Sequence, residues 1–240
     1  MVTTLENPAV IAAEPADHAK GAHVAYALGV DLGQSIDPTA LALIEREVCG
    51  TGEWEPLKGH MEGATNWRPG LGVRFTVRAL KLLPLGTSYQ AIVAEIAARY
   101  EQTAQFGKCQ LVFDETGARA AGDMIRERIP NAVGCTLTAS EKDSRIGPRR
   151  WSVSKPNMVT GLLAAIESGQ LRAAEDLTEF ETFKGHIIDL RRKVSNLGHM
   201  SFNAREGAHD DFVTAGGLAW WCARHRLWRR GAHMTHLLGL

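Results

Sequence analysis

The sequence predicts a single α/β domain, built on a mixed β-sheet that is flanked by helices. Three consecutive apolar runs with strand-like patterns stand in its first third, and such a series is typical of an antiparallel meander. Further along, strand patterns alternate with helical patterns, which predicts a parallel portion. The chain has 240 residues, which is long enough for one large domain or two small ones.

The predicted meander begins with "HVAYALGVDLG" at 23–33, which is too short for a helix and is followed by turn residues. "PTALALIEREV" at 38–48 alternates as a strand does, and we expect it to pair with the first strand through the turn "GQSIDP". "VRFTVRALKLL" at 73–83 supplies a third strand.

The pattern then changes to the period of a helix. In "SYQAIVAEIAARY" the residues Ile92, Ile96 and Tyr100 recur every four positions, and Ser88 is a suitable N-cap. The strand "CQLVFDETG", the helix "ARAAGDMIRERI" and the strand "NAVGCTLTA" follow. This order predicts a parallel β-α-β unit.

The last third is predicted to be mainly helical. Residues 140–156 are polar and basic, and we predict a loop there. Helical patterns follow at 157–169 and 177–193, and a final helix lies within 205–221.

We therefore divide the chain into three parts. Residues 1–24 form a flexible N-terminal arm, residues 25–225 the α/β domain, and residues 226–240 a basic C-terminal tail.

Composition excludes several classes of protein. The formal net charge is zero, so any attraction to nucleic acid must come from local patches. No apolar run reaches the roughly 18 residues of a membrane span, and the N-terminus lacks a signal pattern. We expect an intracellular, cytoplasmic protein without a membrane partner. The cysteines form no CxxC pair and are expected to be buried reduced thiols. They are Cys49, Cys109, Cys135 and Cys222.

Carboxylates occur at the ends of three predicted elements. Asp31 lies near the end of the first strand, Asp114 closes a later strand, and Asp210 and Asp211 open the last helix. Acids gathered at one sheet edge repel one another and stay ionised only beside a cation. Oxygen ligands suit Mg²⁺ or Mn²⁺, and two such ions, roughly 3.5–4 Å apart, can clamp a phosphodiester.

Each acid also has a simpler interpretation. Asp31 and Asp114 could be turn residues at strand ends, and one acid of the 210–211 pair could only cap the helix. Asp37 precedes a proline and is expected to set a turn. His209 is either a metal neighbour or a capping residue. A solvated or structural role is expected of two further acids, Glu115 and Asp123.

Four motifs together resemble the nuclease domain of phage terminase large subunits, which has a ribonuclease H-like fold. They are "GVDLGQSIDPTALALIE", "LKLLPLGTSYQAIV", "LVFDETGARAAGDMIRER" and "FNAREGAHDDFVTAGGLAWW", in the order that the family has. The resemblance covers the chain from Ala25 to about Trp221.

This resemblance implies a metal-dependent endodeoxyribonuclease that cuts double-stranded DNA during phage genome packaging. In the family, acids at the positions of Asp31, Asp114 and the Asp210/Asp211 pair hold two divalent metals. Asp211 is favoured as the ligand, with Asp210 close beside it. The "FDETG" segment replaces the DATG-like turn of many relatives.

A full terminase also carries an N-terminal ATPase, and this chain has no GxxxxGK[ST] loop. We therefore expect a nuclease without the ATPase domain, encoded by a phage or prophage. A separate packaging ATPase or a portal protein is the partner that the resemblance implies.

Two basic segments are candidates for the DNA contact, because cations outnumber acids in each. The first runs from residue 141 to 155, and the second from 184 to 205. Neither reads a base in any way visible from sequence, which predicts low sequence specificity. The candidate residues are Lys142, Arg145, Arg149, Arg150, Lys155, Arg191, Arg192, Lys193 and Arg205.

Other functions stay open. "DLGQS" resembles the first phosphate loop of actin-like and sugar-kinase-like ATP-binding proteins, and "DETG" faintly resembles the second. That class normally duplicates its core and carries a Gly-rich adenosine motif, and neither is found. A junction-resolving nuclease of the same fold and a degenerate domain that only docks on a packaging partner are further alternatives.

Overall fold

The computed structural model describes residues 23–33, 37–56, 67–194, 200–205 and 208–225. The strands are β1 His23–Asp31, β2 Ala40–Pro56, β3 Trp67–Leu82, β4 Lys108–Asp114, β5 Val133–Thr138, β6 Ser144–Gly147, β7 Arg150–Ser154, β8 Leu171–Ala173, β9 Leu190–Val194 and β10 Met200–Ala204. The helices are α1 Tyr89–Ala104, α2 Arg119–Arg128, α3 Lys155–Glu167, α4 Phe180–Asp189 and α5 Asp211–His225.

Eight strands form one mixed sheet in the order β6-β7-β5-β4-β1-β2-β3-β8, and β9 and β10 form a separate antiparallel pair. Strands β1, β2 and β3 are antiparallel neighbours, which confirms the predicted meander. Strand β4 pairs parallel to β1, and β5 pairs parallel to β4. The predicted fold, a mixed sheet flanked by helices, is therefore confirmed.

Helices cover both faces of this sheet. Alternate residues of β1 point to opposite faces, so Ala27 belongs to the apolar cluster under α3 and α5, while Leu28 and Val30 pack under α1 and α2. The same division separates Val112 from Phe113 on β4. Two apolar layers therefore fix the register of the central strands.

Two predicted elements of the last third are wrong in part. The loop expected at 140–156 contains the β6–β7 hairpin, and β7 joins the main sheet parallel to β5. The helix expected at 177–193 ends at Asp189, because Leu190 is extended and starts β9, which pairs with β10. In both places, pairing with a distant strand overrides the local pattern.

The domain boundaries are partly covered by the described residues. Strand β1 begins at His23, so the predicted boundary at residue 25 falls inside it. The rest of the predicted arm, residues 1–22, and the predicted tail, residues 226–240, lie outside the described residues.

The cysteines agree with the prediction of reduced thiols, since all four are free and three are buried. Within the described ranges, none of the helices has both the length and the apolar character needed to cross a membrane.

Helix α5 packs directly on the backbone of β1. Its residues from Asp211 to Ala223 are all buried, although its first residue is charged. A Cβ atom built on Gly29 would lie 2.1 Å from the Ala215 carbonyl oxygen and 2.6 Å from the Ala219 backbone nitrogen. Only a residue without a side chain allows this close approach of helix and strand.

We expect Gly29→Ala to lower the free energy of unfolding by about 3 kcal/mol or more, because the added methyl group meets rigid backbone. Urea unfolding measures the change. The matched control is Gly185→Ala in α4, where a Cβ meets nothing within 4 Å. Helix propensity predicts a gain of up to about 1 kcal/mol there. Equal effects of the two substitutions would contradict the close packing of α5 on β1.

Candidate metal centre at the edge of the sheet

The carboxyl ends of β1 and β4 bring two acids side by side. These strands are parallel neighbours with Val30 opposite Phe113, so Asp31 and Asp114 follow at the same level. Adjacent strands lie about 4.8 Å apart, and residues at one level share a face. Because Gly29 faces α5, the strand alternation places Asp31 on the α5 side as well.

The start of α5 brings the other two acids to this edge. The helix begins at Asp211, and the Thr214 N–H donates to the Asp210 carbonyl oxygen at 2.9 Å. His186 of α4 supports this helix end, because its Nδ1 accepts the Phe212 N–H at 3.3 Å. Burial and the neighbouring His209 lower the pKa of His186, which favours the neutral ring needed to accept that bond. The sequence analysis missed His186.

The charges of all four acids meet at Asp31. Burial raises the pKa of Asp31 well above its ordinary value, and the carboxylates of Asp114, Asp211 and Asp210 raise it further, in that order. Burial also raises the pKa of Asp114, while the Thr116 N–H, which donates to its Oδ1 at 2.8 Å, opposes the rise. The four predicted acids, Asp31, Asp114, Asp210 and Asp211, thus interact electrostatically and are called the acidic group below.

A second set of possible metal ligands lies at the start of α5. Ligand atoms of Asp37, His209 and Asp211 lie within 4.8 Å of one another, and among the described residues this is the one such set of acids, histidines or cysteines. His209 Nδ1 is 3.5 Å from Asp211 Oδ2 and 3.8 Å from Asp37 Oδ1. The sequence analysis assigned Asp37 only to a turn, so it did not anticipate this set.

The side chain of Asp211 lacks a hydrogen bond where it needs one. Its Oδ2 is buried without a hydrogen-bond partner within the described part of the chain. Burial, together with the charges of Asp37 and Asp210, raises the pKa of Asp211 to about 6, against the opposing effect of His209. A buried oxygen without a donor, aimed among other oxygen and imidazole ligands, fits a divalent cation.

Glu115, which follows Asp114, has a structural role, one of the two roles expected of it. This buried side chain forms ion pairs with Arg126 and with Arg150 Nε at 3.3 Å. The Glu115 N–H donates to the Cys135 carbonyl oxygen at 2.9 Å. These contacts fasten the chain just after Asp114 to β5 and to the β6–β7 hairpin.

Several of the basic candidates form hydrogen bonds or ion pairs with other residues of the protein. Arg145 donates to the carbonyl oxygens of Gly147 at 3.0 Å and Pro148 at 2.7 Å. Arg205 Nε is 2.7 Å from Asp189 Oδ1, and Arg191 donates to carbonyl oxygens at the end of α4. Lys155 Nζ is 3.0 Å from Asp210 Oδ2.

Four other basic candidates are exposed and have no ion pair among the described residues: Lys142, Arg149, Arg192 and Lys193. The structure brings Lys155 into the acidic group, whereas Arg150 lies against Glu115. The DNA contact of all these residues stays a prediction.

Comparison with solved structures identifies the fold. The chain is similar to the large terminase nuclease from thermophilic phage G20c with bound magnesium, at 18% sequence identity and a TM-score of 0.53, over 82% of this chain and 81% of that one. The same nuclease with bound cobalt gives 18% identity and a TM-score of 0.54 over the same shares. The large terminase nuclease domain of Thermus phage P74-26 gives 18% identity and a TM-score of 0.50, over 83% of this chain and 80% of that one.

No protein-family model and no curated protein sequence matches the chain. At these identities the structural likeness establishes the fold, which is that of large terminase nuclease domains. The resemblance found in the four motifs is therefore confirmed at the level of structure.

The raised pKa of Asp211 predicts how stability depends on pH without metal. Because the folded pKa is about 6 and the ordinary value is 3.8, the folded state takes up the proton first. The stability from this group is therefore present at low pH and is lost as pH rises through 6. We expect Asp211→Asn to remove about 2 kcal/mol of the decline between roughly pH 4.5 and 7.

Urea unfolding in the presence of a chelator at both pH values measures this decline. The control is Asp176→Asn, at an exposed acid between β8 and α4, which should leave the decline unchanged. Parallel pH profiles of the wild-type protein and Asp211→Asn would show that Asp211 is not desolvated as described.

Proposed function

We propose that this chain is a divalent-metal-dependent DNA endonuclease of the terminase nuclease type, acting in viral DNA packaging. One observation carries the proposal: carboxylates from β1, β4 and the start of α5 meet at one sheet edge and raise the pKa of Asp31. Three separate elements would not place acids there by chance in a chain with the fold of large terminase nucleases.

We assign the acids of this edge to a pair of Mg²⁺ or Mn²⁺ ions. Among the described residues, Asp211, Asp37 and His209 have ligand atoms within 4.8 Å of one another, and Asp31, Asp114 and Asp210 act electrostatically beside them. When bound, such ions activate a water molecule and stabilise the leaving oxygen of a phosphodiester. The catalytic carboxylates are the four that the sequence analysis named, which are Asp31, Asp114, Asp210 and Asp211, and Asp37 and His209 are added to them.

The protein residues prepare the site before any ion arrives. Burial raises the free-energy cost of ionising Asp31, Asp114 and Asp211. A bound cation would offset that cost, because its charge stabilises the ionised carboxylates. The Thr116 N–H holds the Asp114 carboxylate in place, and His186 holds the start of α5. Fixed ligands of this kind lose little freedom when they bind.

Duplex DNA is the proposed substrate, held through its phosphates. The exposed cations lie just before β6, in the β6–β7 turn and in β9. Strand β7 leads directly to Lys155, and Asp210 follows β10 in the chain. Contacts of Lys and Arg with phosphate carry no sequence information, which agrees with low sequence specificity. A packaging ATPase or a portal protein is the proposed partner.

The comparisons do not favour the ATP-binding alternative. The described part of the chain holds one mixed sheet rather than two copies of a core, and the similar structures are terminase nucleases. The absence of a thermal shift with ATP, measured beside a shift with Mn²⁺, separates the two functions. A comparison of branched and linear DNA substrates separates the packaging nuclease from a junction-resolving nuclease.

We expect Asp31→Asn and Asp114→Asn each to reduce Mn²⁺-dependent nicking of plasmid DNA by more than about 100-fold, since even outer neighbours of metal ligands have effects of 10–100-fold. The fold should persist, because an asparagine at position 114 still accepts the Thr116 N–H. The control is Asp176→Asn, which should cut like the wild-type protein. Retained cutting by either variant, with circular dichroism unchanged, would refute the site assignment.

DNA affinity should fall steeply with salt, because phosphate contacts release counterions. Replacing both Lys142 and Arg149 by alanine should reduce the slope of log affinity against log salt by about 2, close to 0.9 for each phosphate contact. Fluorescence anisotropy of a labelled duplex, with a chelator present, measures the slope. Lys108→Ala, at the opposite end of β4 from Asp114, is the control. An unchanged slope in the double variant would exclude the β6–β7 hairpin from the DNA contact.

A further inference from the structure

Lys155 is a basic side chain that lies inside the acidic group rather than on the open surface. Its Nζ is 3.0 Å from Asp210 Oδ2, and both side chains are about three-quarters buried, with 26% and 23% of their surface exposed. The residue stands where β7 ends and α3 begins. The β6–β7 hairpin, which the sequence analysis expected to be a loop, therefore delivers a cation to the catalytic edge.

The backbone at this point is fixed from two sides. The Ser154 N–H donates to Asp143 Oδ1 at 2.8 Å, and the other carboxylate oxygen of Asp143 accepts the Trp221 indole N–H at 2.7 Å. The Ser154 hydroxyl accepts the Asn157 N–H at 3.2 Å and caps α3. Because Trp221 belongs to α5, Lys155 is tied to the same helix that carries the acids.

The ammonium group acts on more than its hydrogen-bond partner. Its charge lowers the pKa of Asp31 and of Asp114, against the stronger effect of burial. One cation therefore faces carboxylates from β1, from β4 and from the start of α5. A lysine with only a DNA-binding role would not need this position among acids.

We infer that the Lys155 ammonium is the built-in counter-ion of the metal-free site and competes with a divalent ion for the Asp210 carboxylate. The inference rests on the proposed function. An entering ion has to take Asp210 from the ammonium and then bind beside a like charge, and both effects weaken its binding. Lys155 thus sets the affinity for metal at a lower value than the carboxylates alone would give.

Calorimetric titration of Mn²⁺ into the intact protein tests the competition. We expect Lys155→Met to bind Mn²⁺ at least about tenfold more tightly than the wild-type protein, because a positive charge next to the ion is removed. Lys155→Arg keeps the charge and should stay within about threefold of the wild type. The control for loss of one lysine is Lys108→Met at the far end of β4, which should leave the affinity unchanged.

A second measurement covers a Lys155→Met protein that folds poorly. Lys155→Gln retains a polar side chain, and its rise in melting temperature on adding Mn²⁺ should exceed the rise of the wild-type protein. An unchanged or weaker Mn²⁺ affinity in both uncharged variants would overturn the inference, and a higher KM for DNA alone would assign Lys155 to substrate binding.

The same experiment separates this inference from the function on which it rests. If the wild-type protein cuts DNA and the uncharged variants bind Mn²⁺ no more tightly, the inference fails and the nuclease function stands. If the wild-type protein binds Mn²⁺ but does not cut DNA, and the uncharged variants bind it more tightly, the competition stands and the nuclease function fails.

Discussion

The structure depends on the direct contact between the backbone of α5 and the backbone of β1. A side chain at position 29 would hold the two elements apart, since even a Cβ would lie 2.1 Å from the Ala215 carbonyl oxygen. The contact brings the N-terminus of a helix that is buried from Asp211 to Ala223 to the end of β1, where Asp31 stands. The acids at 210 and 211 are near Asp31 because apolar packing puts them there, against their mutual repulsion.

That repulsion has to be balanced, and the protein balances it with several partial contributions. The Thr116 N–H, the Lys155 ammonium and the His209 ring each favour an ionised carboxylate, while burial opposes ionisation at all three of the acids that are most perturbed. The buried Asp211 Oδ2 is left without a hydrogen bond among the described residues. A site that is incompletely neutralised in this way has a strong attraction for a doubly charged ion, which is the property that a metal-dependent nuclease needs.

The acids at strand ends could be predicted from sequence because two local facts fix them. An apolar run predicts a strand, and the residue that closes a parallel strand lies at the carboxyl edge of the sheet, as Asp31 and Asp114 do. The start of the last helix was equally readable from the adjacent acids that precede an apolar stretch. These are short-range signals, and packing confirms the elements that they predict.

The remaining residues of the site depend on contacts that no local pattern contains. Asp37 approaches His209 across 172 positions of sequence, and its neighbour Pro38 gives only a turn signal. His186 reaches the Phe212 N–H because α4 packs beside α5, which is a contact between distant elements. Lys155 enters the acidic group through β7, a strand whose pairing with β5 is invisible in a polar segment rich in turn residues.

The misassigned hairpin explains why the basic residues divide into two kinds. Once β7 joins the sheet, Arg150 lies against the buried Glu115 and Lys155 lies against Asp210, so both cations stabilise the fold and the site from within. The turn and the approach to β6 then carry Arg149 and Lys142 outward, where they are exposed. Strand pairing therefore sends the cations of a single polar segment in two directions. Some lie against buried or partly buried acids, and others stay exposed, where the proposed function would use them to contact the phosphates of DNA.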